Sequence, residues 1–114
     1  MRLVVIESPY GSKDPQVVQE NVAYLRKCMQ DCLKRGEAPY ASHGLFPGAL
    51  DDNIPDQRRQ GMEAGFAWGE MADAVVVYVD RGISSGMVEG IKRAQAYGTK
   101  VVMRSLSLNQ EFSE

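Results

Sequence analysis

The residues able to do chemistry in this chain lie in short polar stretches, each placed just after an apolar run. Asp80 closes the run at residues 74–79, and Arg81-Gly82 and then Ser84-Ser85-Gly86-Met87 follow it, where a helical pattern opens. A carboxylate and two hydroxyls beside the free N–H groups of a helix N-terminus can take an anion or a sugar. Ser8-Pro9-Tyr10-Gly11 follow the first apolar run, and His43, the sole histidine, follows Ser42. Tyr10 can stack on a base or bond a sugar, or it can cap the core as a loop aromatic. Asp80 can hold ribose hydroxyls or simply bond its own turn. Gly11-Ser12 and Ser84-Ser85-Gly86 can donate to a phosphate, and they are equally good helix caps. His43 is either a site residue or a structural one. No GxxxxGK[ST] or GxGxxG segment occurs, which disfavours nucleoside triphosphate hydrolysis and dinucleotide oxidoreduction. No Ser-His-acid set stands out.

These stretches need elements to bring them together. Residues 3–6 form a β-branched run that reads as a buried first strand, with Glu7 to Gly11 as a polar loop. Asp14-Pro15 is a helix start, and Val18, Val22, Leu25, Met29, Cys32 and Leu33 recur at helical spacing before Lys34-Arg35 and Gly36 close the helix. A weak strand falls at 38–42. An irregular stretch at 43–54 reads as a lid or interface arm. Pro55 opens a second helix reaching about Glu70, with Gly61, Gly65 and Gly69 on one face, suited to tight packing on the sheet or to a contact between copies. Residues 74–79 read as a strand, the pattern from Ser84 or Ser85 as a helix stopped by Gly98, and Val101-Val102 as the next strand. The alternation predicts an α/β fold: a small, three-layer, flavodoxin- or Rossmann-like parallel sheet with helices on both faces. Residues 1–105 form one domain, and 106–114 read as a polar tail.

Size and charge narrow the function. A chain of 114 residues supports one core. A net charge of −2 without a basic run argues against a nucleic-acid surface. Cys28 and Cys32 share a helix face and read as core thiols of a reducing cytosol; with one histidine, no metal site is expected. No apolar run reaches spanning length and no leader precedes the first strand, so a cytoplasmic protein without membrane contact is expected.

In such a sheet, ligands sit beyond the carboxyl ends of the strands. Reading off those ends gathers Ser8, Pro9, Tyr10, Gly11, Ser42, His43, Asp80, Arg81, Gly82 and Arg104 at one edge. Ser8-Pro9-Tyr10, Asn21, Pro39, Ser42-His43, Arg58 or Arg59 with Gly61, Ala72-Asp73-Ala74-Val75-Val76, Gly82-Ile83-Ser84-Ser85-Gly86-Met87 and Ala94 with Gly98 together resemble the nucleoside 2-deoxyribosyltransferase-like superfamily over about residues 3 to 104. That group includes deoxyribosyltransferases, nucleotide N-glycosidases and many small, often phage-encoded proteins. The resemblance implies a nucleotide or nucleoside-like ligand at the sheet edge, contacted by Ser8, Pro9, Tyr10, Gly11, His43, Asp80, Gly82, Ser84, Ser85, Gly86 and Met87. It implies no cofactor, and assembly as a homodimer or larger homo-oligomer.

The resemblance also implies a glutamate on the third helix, facing the anomeric carbon. Here Gly86-Met87-Val88-Glu89-Gly90 places Glu89 one residue early and Gly90 in the slot. One helical residue is a rotation of about 100°, so Glu89 points away from where Gly90 faces, with Arg93 four residues on as its partner. The expectation is therefore binding without catalysis, such as sensing or sequestering a nucleotide signal. The alternative is an N-glycosidase or deoxyribosyltransferase with Glu89 as its carboxylate.

Overall fold

A computed structural model describes residues 1–44, 49–51 and 53–113. In chain order it contains β1 (Arg2–Glu7), α1 (Pro15–Lys34), β2 (Glu37–Tyr40), a 3-10 turn (Ser42–Gly44), α2 (Pro55–Met71), β3 (Ala74–Tyr78), α3 (Ser85–Tyr97), β4 (Lys100–Ser105) and β5 (Gln110–Ser113). The sheet order is β2-β1-β3-β4-β5, with four parallel strands and an antiparallel β5. The α/β architecture expected from the alternation is the one found.

Strand alternation divides the core in two. Val4, Ile6, Ala74, Val76, Tyr78 and Val102 turn to one face, where Tyr24, Leu25, Cys28 and Cys32 of α1 cover them. Val5, Val75, Val77 and Val101 turn to the other, under Met87, Ile91 and Ala94 of α3. α2 lies on the α3 side and has no buried residue. The helix ends follow the residues. Asp14 accepts from the Gln16 N–H at 2.9 Å, Pro15 starts α1, and Gly36 takes φ +78° after it. Ser84 caps α3 through the Met87 N–H, and Gly98 ends it at φ +75°.

Three expectations change. The buried face of α1 is Asn21, Tyr24, Leu25, Cys28 and Cys32, and Leu33 is exposed. Polar groups are used on this face because they bond the loops and strands above it. Of the expected tail at 106–114, residues 106–113 turn at Asn109 (φ +51°) and return as β5 along β4, and Glu114 lies outside the described residues. Arg104 does not reach the ligand edge. Its guanidinium is buried beneath α1, donating to both Glu37 carboxylate oxygens at 2.8 and 2.7 Å, to Tyr78 Oη at 3.2 Å and to Glu111 at 2.7 Å. A buried charge needs such partners, and Glu111 on β5 is one of them.

Among the described residues, no helix is long and apolar enough to cross a membrane, and no three His, Cys, Asp or Glu side chains gather as a metal site would need.

Candidate functional site

The strand order changes direction between β1 and β3, and the crevice beyond the carboxyl ends at such a switch is where open α/β sheets as a class hold ligands. The loops there are tied together. Ser8 Oγ and His43 Nε2 are 2.8 Å apart, and the Tyr10 ring meets His43 edge-on at 6.1 Å between centroids. Burial pushes the His43 imidazole down to about 4, so it is neutral at pH 7. Among the described residues, Ser8 is its hydrogen-bond partner and no carboxylate orients it. Asn21 donates to the Tyr10 carbonyl at 2.9 Å and accepts from Arg81 Nε at 2.9 Å, joining the loops after β1 and β3.

Asp80 is occupied by its own chain. Its two carboxylate oxygens accept from Tyr24 Oη, Ser105 Oγ, the Leu106 and Ser107 N–H groups and Ser107 Oγ, at 2.6 to 3.0 Å. Desolvation alone would push the carboxyl up, but these donors hold it well below the ordinary carboxylate range. Of the two readings of Asp80, the turn-holding one describes this geometry. Met87, expected at the ligand, is 2% exposed and packs under α3; its Sδ accepts the Ser84 N–H at 3.4 Å. Pro9 and Tyr10 are half-buried, whereas Gly11, Gly82 (φ +86°), Ser84 and Ser85 lie exposed around the helix opening, with Gly86 half-buried.

The residue that sequence reasoning missed is Glu7. It follows the run at 3–6 and reads as the start of a polar loop, yet it belongs to β1 and turns toward α3. A Cβ on Gly90 would collide with its carboxyl group. No hydrogen bond or ion pair reaches that carboxyl among the described residues. Burial pushes it up to about 8. Beside it lies a cavity of about 10 Å³, with Phe66 of α2 and Arg93 and Tyr97 of α3 in its walls. Gly90 was a legible signal: a glycine inside a helix marks close approach by something.

Glu89 is exposed and Gly90 buried, as the register requires. Glu89 lines an open groove of about 600 Å³ between α2 and α3, together with Arg58, Arg59, Glu63, Phe66 and Arg93. Arg93 donates to Glu63 at 2.9 Å and to Tyr97 Oη at 3.2 Å, so the expected pairing with Glu89 is not the one made. Arg58 and Arg59 form no ion pair among the described residues. Phe66 and Arg93 border both the groove and the Glu7 cavity. The expected lid at 43–54 lies in part, at 45–48 and 52, outside the described residues.

A family model described as a domain of unknown function, DUF7768, matches residues 2–104. No curated protein matches by sequence. Among solved structures, the 2-deoxyribosyltransferase of the psychrotolerant bacterium Bacillus psychrosaccharolyticus is similar, with a TM-score of 0.70 and 13% identity over 90% of this chain and 72% of that one. At that identity the likeness is one of fold.

Proposed function

The chain belongs to the DUF7768 family, and we propose that it binds a nucleoside or nucleotide in the crevice between the ends of β1 and β3, over the N-terminus of α3. The observation that carries this reading is the convergence there of Tyr10, the neutral Ser8–His43 pair and the open α3 N-terminus. Tyr10 offers a face for a base, and the N–H groups of α3 offer donors to a sugar or phosphate. Arg58 and Arg59, in the adjoining groove, offer charge for a phosphate. The fold shared with a deoxyribosyltransferase supports the ligand class. The biological role would be to sense or sequester such a ligand in the cytoplasm.

A thermal-shift panel of nucleosides, nucleotides and cyclic nucleotides tests the reading. A ligand at 100 times its Kd adds about 2.7 kcal/mol. Replacing Arg58 and Arg59 together by alanine is expected to weaken nucleotides by about 1–3 kcal/mol and to leave nucleosides nearly unaffected. A panel in which nothing raises the melting temperature would rule the reading out.

Assembly as a homodimer or larger oligomer is part of the proposal. α2 has no buried residue, and Trp68 and Met71 on it are exposed, so a second copy has two large apolar side chains to meet. Light scattering at micromolar concentration should give a mass above 12.6 kDa; the monomer mass alone would count against it.

A further inference from the structure

We infer that Glu7 and Glu63 compete for the Arg93 guanidinium, so that one proton on Glu7 decides whether this cation stands in the open groove between α2 and α3 or turns into the cavity behind it. The three side chains come from three elements: Glu7 from β1, Glu63 from α2 and Arg93 from α3. In the structure Arg93 faces the groove. It donates to Glu63 at 2.9 Å and to Tyr97 Oη at 3.2 Å, and its guanidinium carbon lies 4.7 Å from the centre of the Phe66 ring. The Glu7 carboxyl has no such donor among the described residues.

Arg93 is within reach of both carboxyls. The Glu7 carboxyl fills the place that a Cβ on Gly90 would take. Arg93 follows Gly90 by three residues, and helix positions three apart hold their Cβ atoms about 5–6 Å from one another. An arginine side chain spans that gap. Glu7 and Arg93 both line the cavity of about 10 Å³, which has room for a water and for nothing larger. Phe66 and Arg93 line the groove as well, and of these two only Arg93 carries charge.

The charges set the direction. A carboxyl withdrawn from water keeps its proton, and the neutral acid gives Arg93 no ion pair, so the guanidinium stays with the exposed Glu63. Once Glu7 ionises, an uncompensated charge stands in the interior, and the cation one turn along α3 is the group able to balance it. The enclosed pair prevails because water screens the exposed one. No other charge contends. The cavity walls carry Arg93 and Tyr97 from α3, Gly65, Phe66 and Gly69 from α2, and Val5 and Val75 from the strands. His43, bonded to the adjacent Ser8 and pushed down to about 4 by burial, is neutral throughout. The groove changes as a result. With Glu7 protonated, Arg58, Arg59 and Arg93 face Glu63 and Glu89; with Glu7 ionised, Arg58 and Arg59 face both glutamates, and the excess of positive charge is gone.

An NMR titration of the whole chain between pH 5 and 10, with no ligand added, tests the inference. It follows the side-chain carboxyl carbon of Glu7 and the Nε–Hε and Cζ signals of Arg93. Glu7 is expected to titrate through about 8, and the Arg93 signals should move with the same midpoint as the guanidinium shifts against the Phe66 ring. In Glu7→Gln the Arg93 signals should keep their low-pH positions throughout. Coupling between two sites is reciprocal, so Arg93→Gln should tighten the Glu7 proton about tenfold, and Glu63→Gln, which frees Arg93, should loosen it. Amide spectra identify the folded variants, and these substitutions outside the core leave the Glu7 signal in place to be read. A Glu7 midpoint at the ordinary carboxylate value, Arg93 signals indifferent to Glu7, or a Glu7 midpoint unmoved by Arg93→Gln overturns the inference. Each of these outcomes leaves the nucleoside-binding reading untouched, because no nucleoside takes part.

Discussion

The Glu7 carboxyl, pushed up to about 8 by burial, holds a proton over a range in which the unfolded chain has released it. Below about pH 4.5 both states are protonated and the folded state carries no penalty. As pH rises from there through about 8, the unfolded state binds fewer protons and stability falls. Replacing Glu7 by glutamine removes that slope. The variant should gain on the parent by on the order of 3 kcal/mol between pH 5 and pH 8, read from urea melts at both values; an equal difference at both would show the group to be solvated. Asp80 has the opposite sign. Its folded value is depressed, so its contribution is present above the unfolded value and lost in acid. One sequence cannot show this contrast. Both residues end a β-branched run. What separates them is whether Tyr24, Ser105 and Ser107 arrive, as at Asp80, or a glycine, as at Glu7.

At the scale of elements, the apolar runs and caps were legible because they are local: Asp14-Pro15, Gly36, Ser84 and Gly98 each act within a few residues of themselves. The packing of α2 was not, because a small-residue face fits more than one neighbour. Its glycines turn out to be unlike one another. A Cβ on Gly65 would lie 3.1 Å from the Ser42 side chain, whereas a Cβ on Gly69 meets nothing within 4 Å. Gly69→Ala is therefore expected to stabilise by about 0.5–1 kcal/mol through helix propensity. Gly65→Ala should gain nothing or lose about 1 kcal/mol as the Ser42 turn gives way. Thermal melts of the two variants separate the cases, and equal gains would mean that α2 is not seated on that turn. The same locality explains α1. The helical period was visible, but the choice of Asn21 and Tyr24 for the inner face depends on bonds to Tyr10 and Asp80 across the fold.

For the molecule as a whole, the sheet is held at its far side by a segment whose composition reads as solvent-loving. The return of residues 110–113 is explained by Arg104, whose buried charge takes Glu111 as a partner alongside Glu37. Such long-range charge satisfaction leaves no periodic trace in a sequence. It also has a consequence for how copies of the chain can meet. The two strands that end the sheet, β2 and β5, are each four residues long, and β2 contains Pro39, which has no N–H to offer. The longer, valine-rich β3 and β4 are enclosed between their neighbours. Such short edges disfavour lateral growth of the sheet, and assembly is expected through the helices instead. Ending the chain at Leu108 would expose β4 as a six-residue edge and strip a carboxylate from Arg104. Such a protein is expected to scatter light and precipitate on mild heating where the full chain stays clear. In that sense β5 guards against polymerisation.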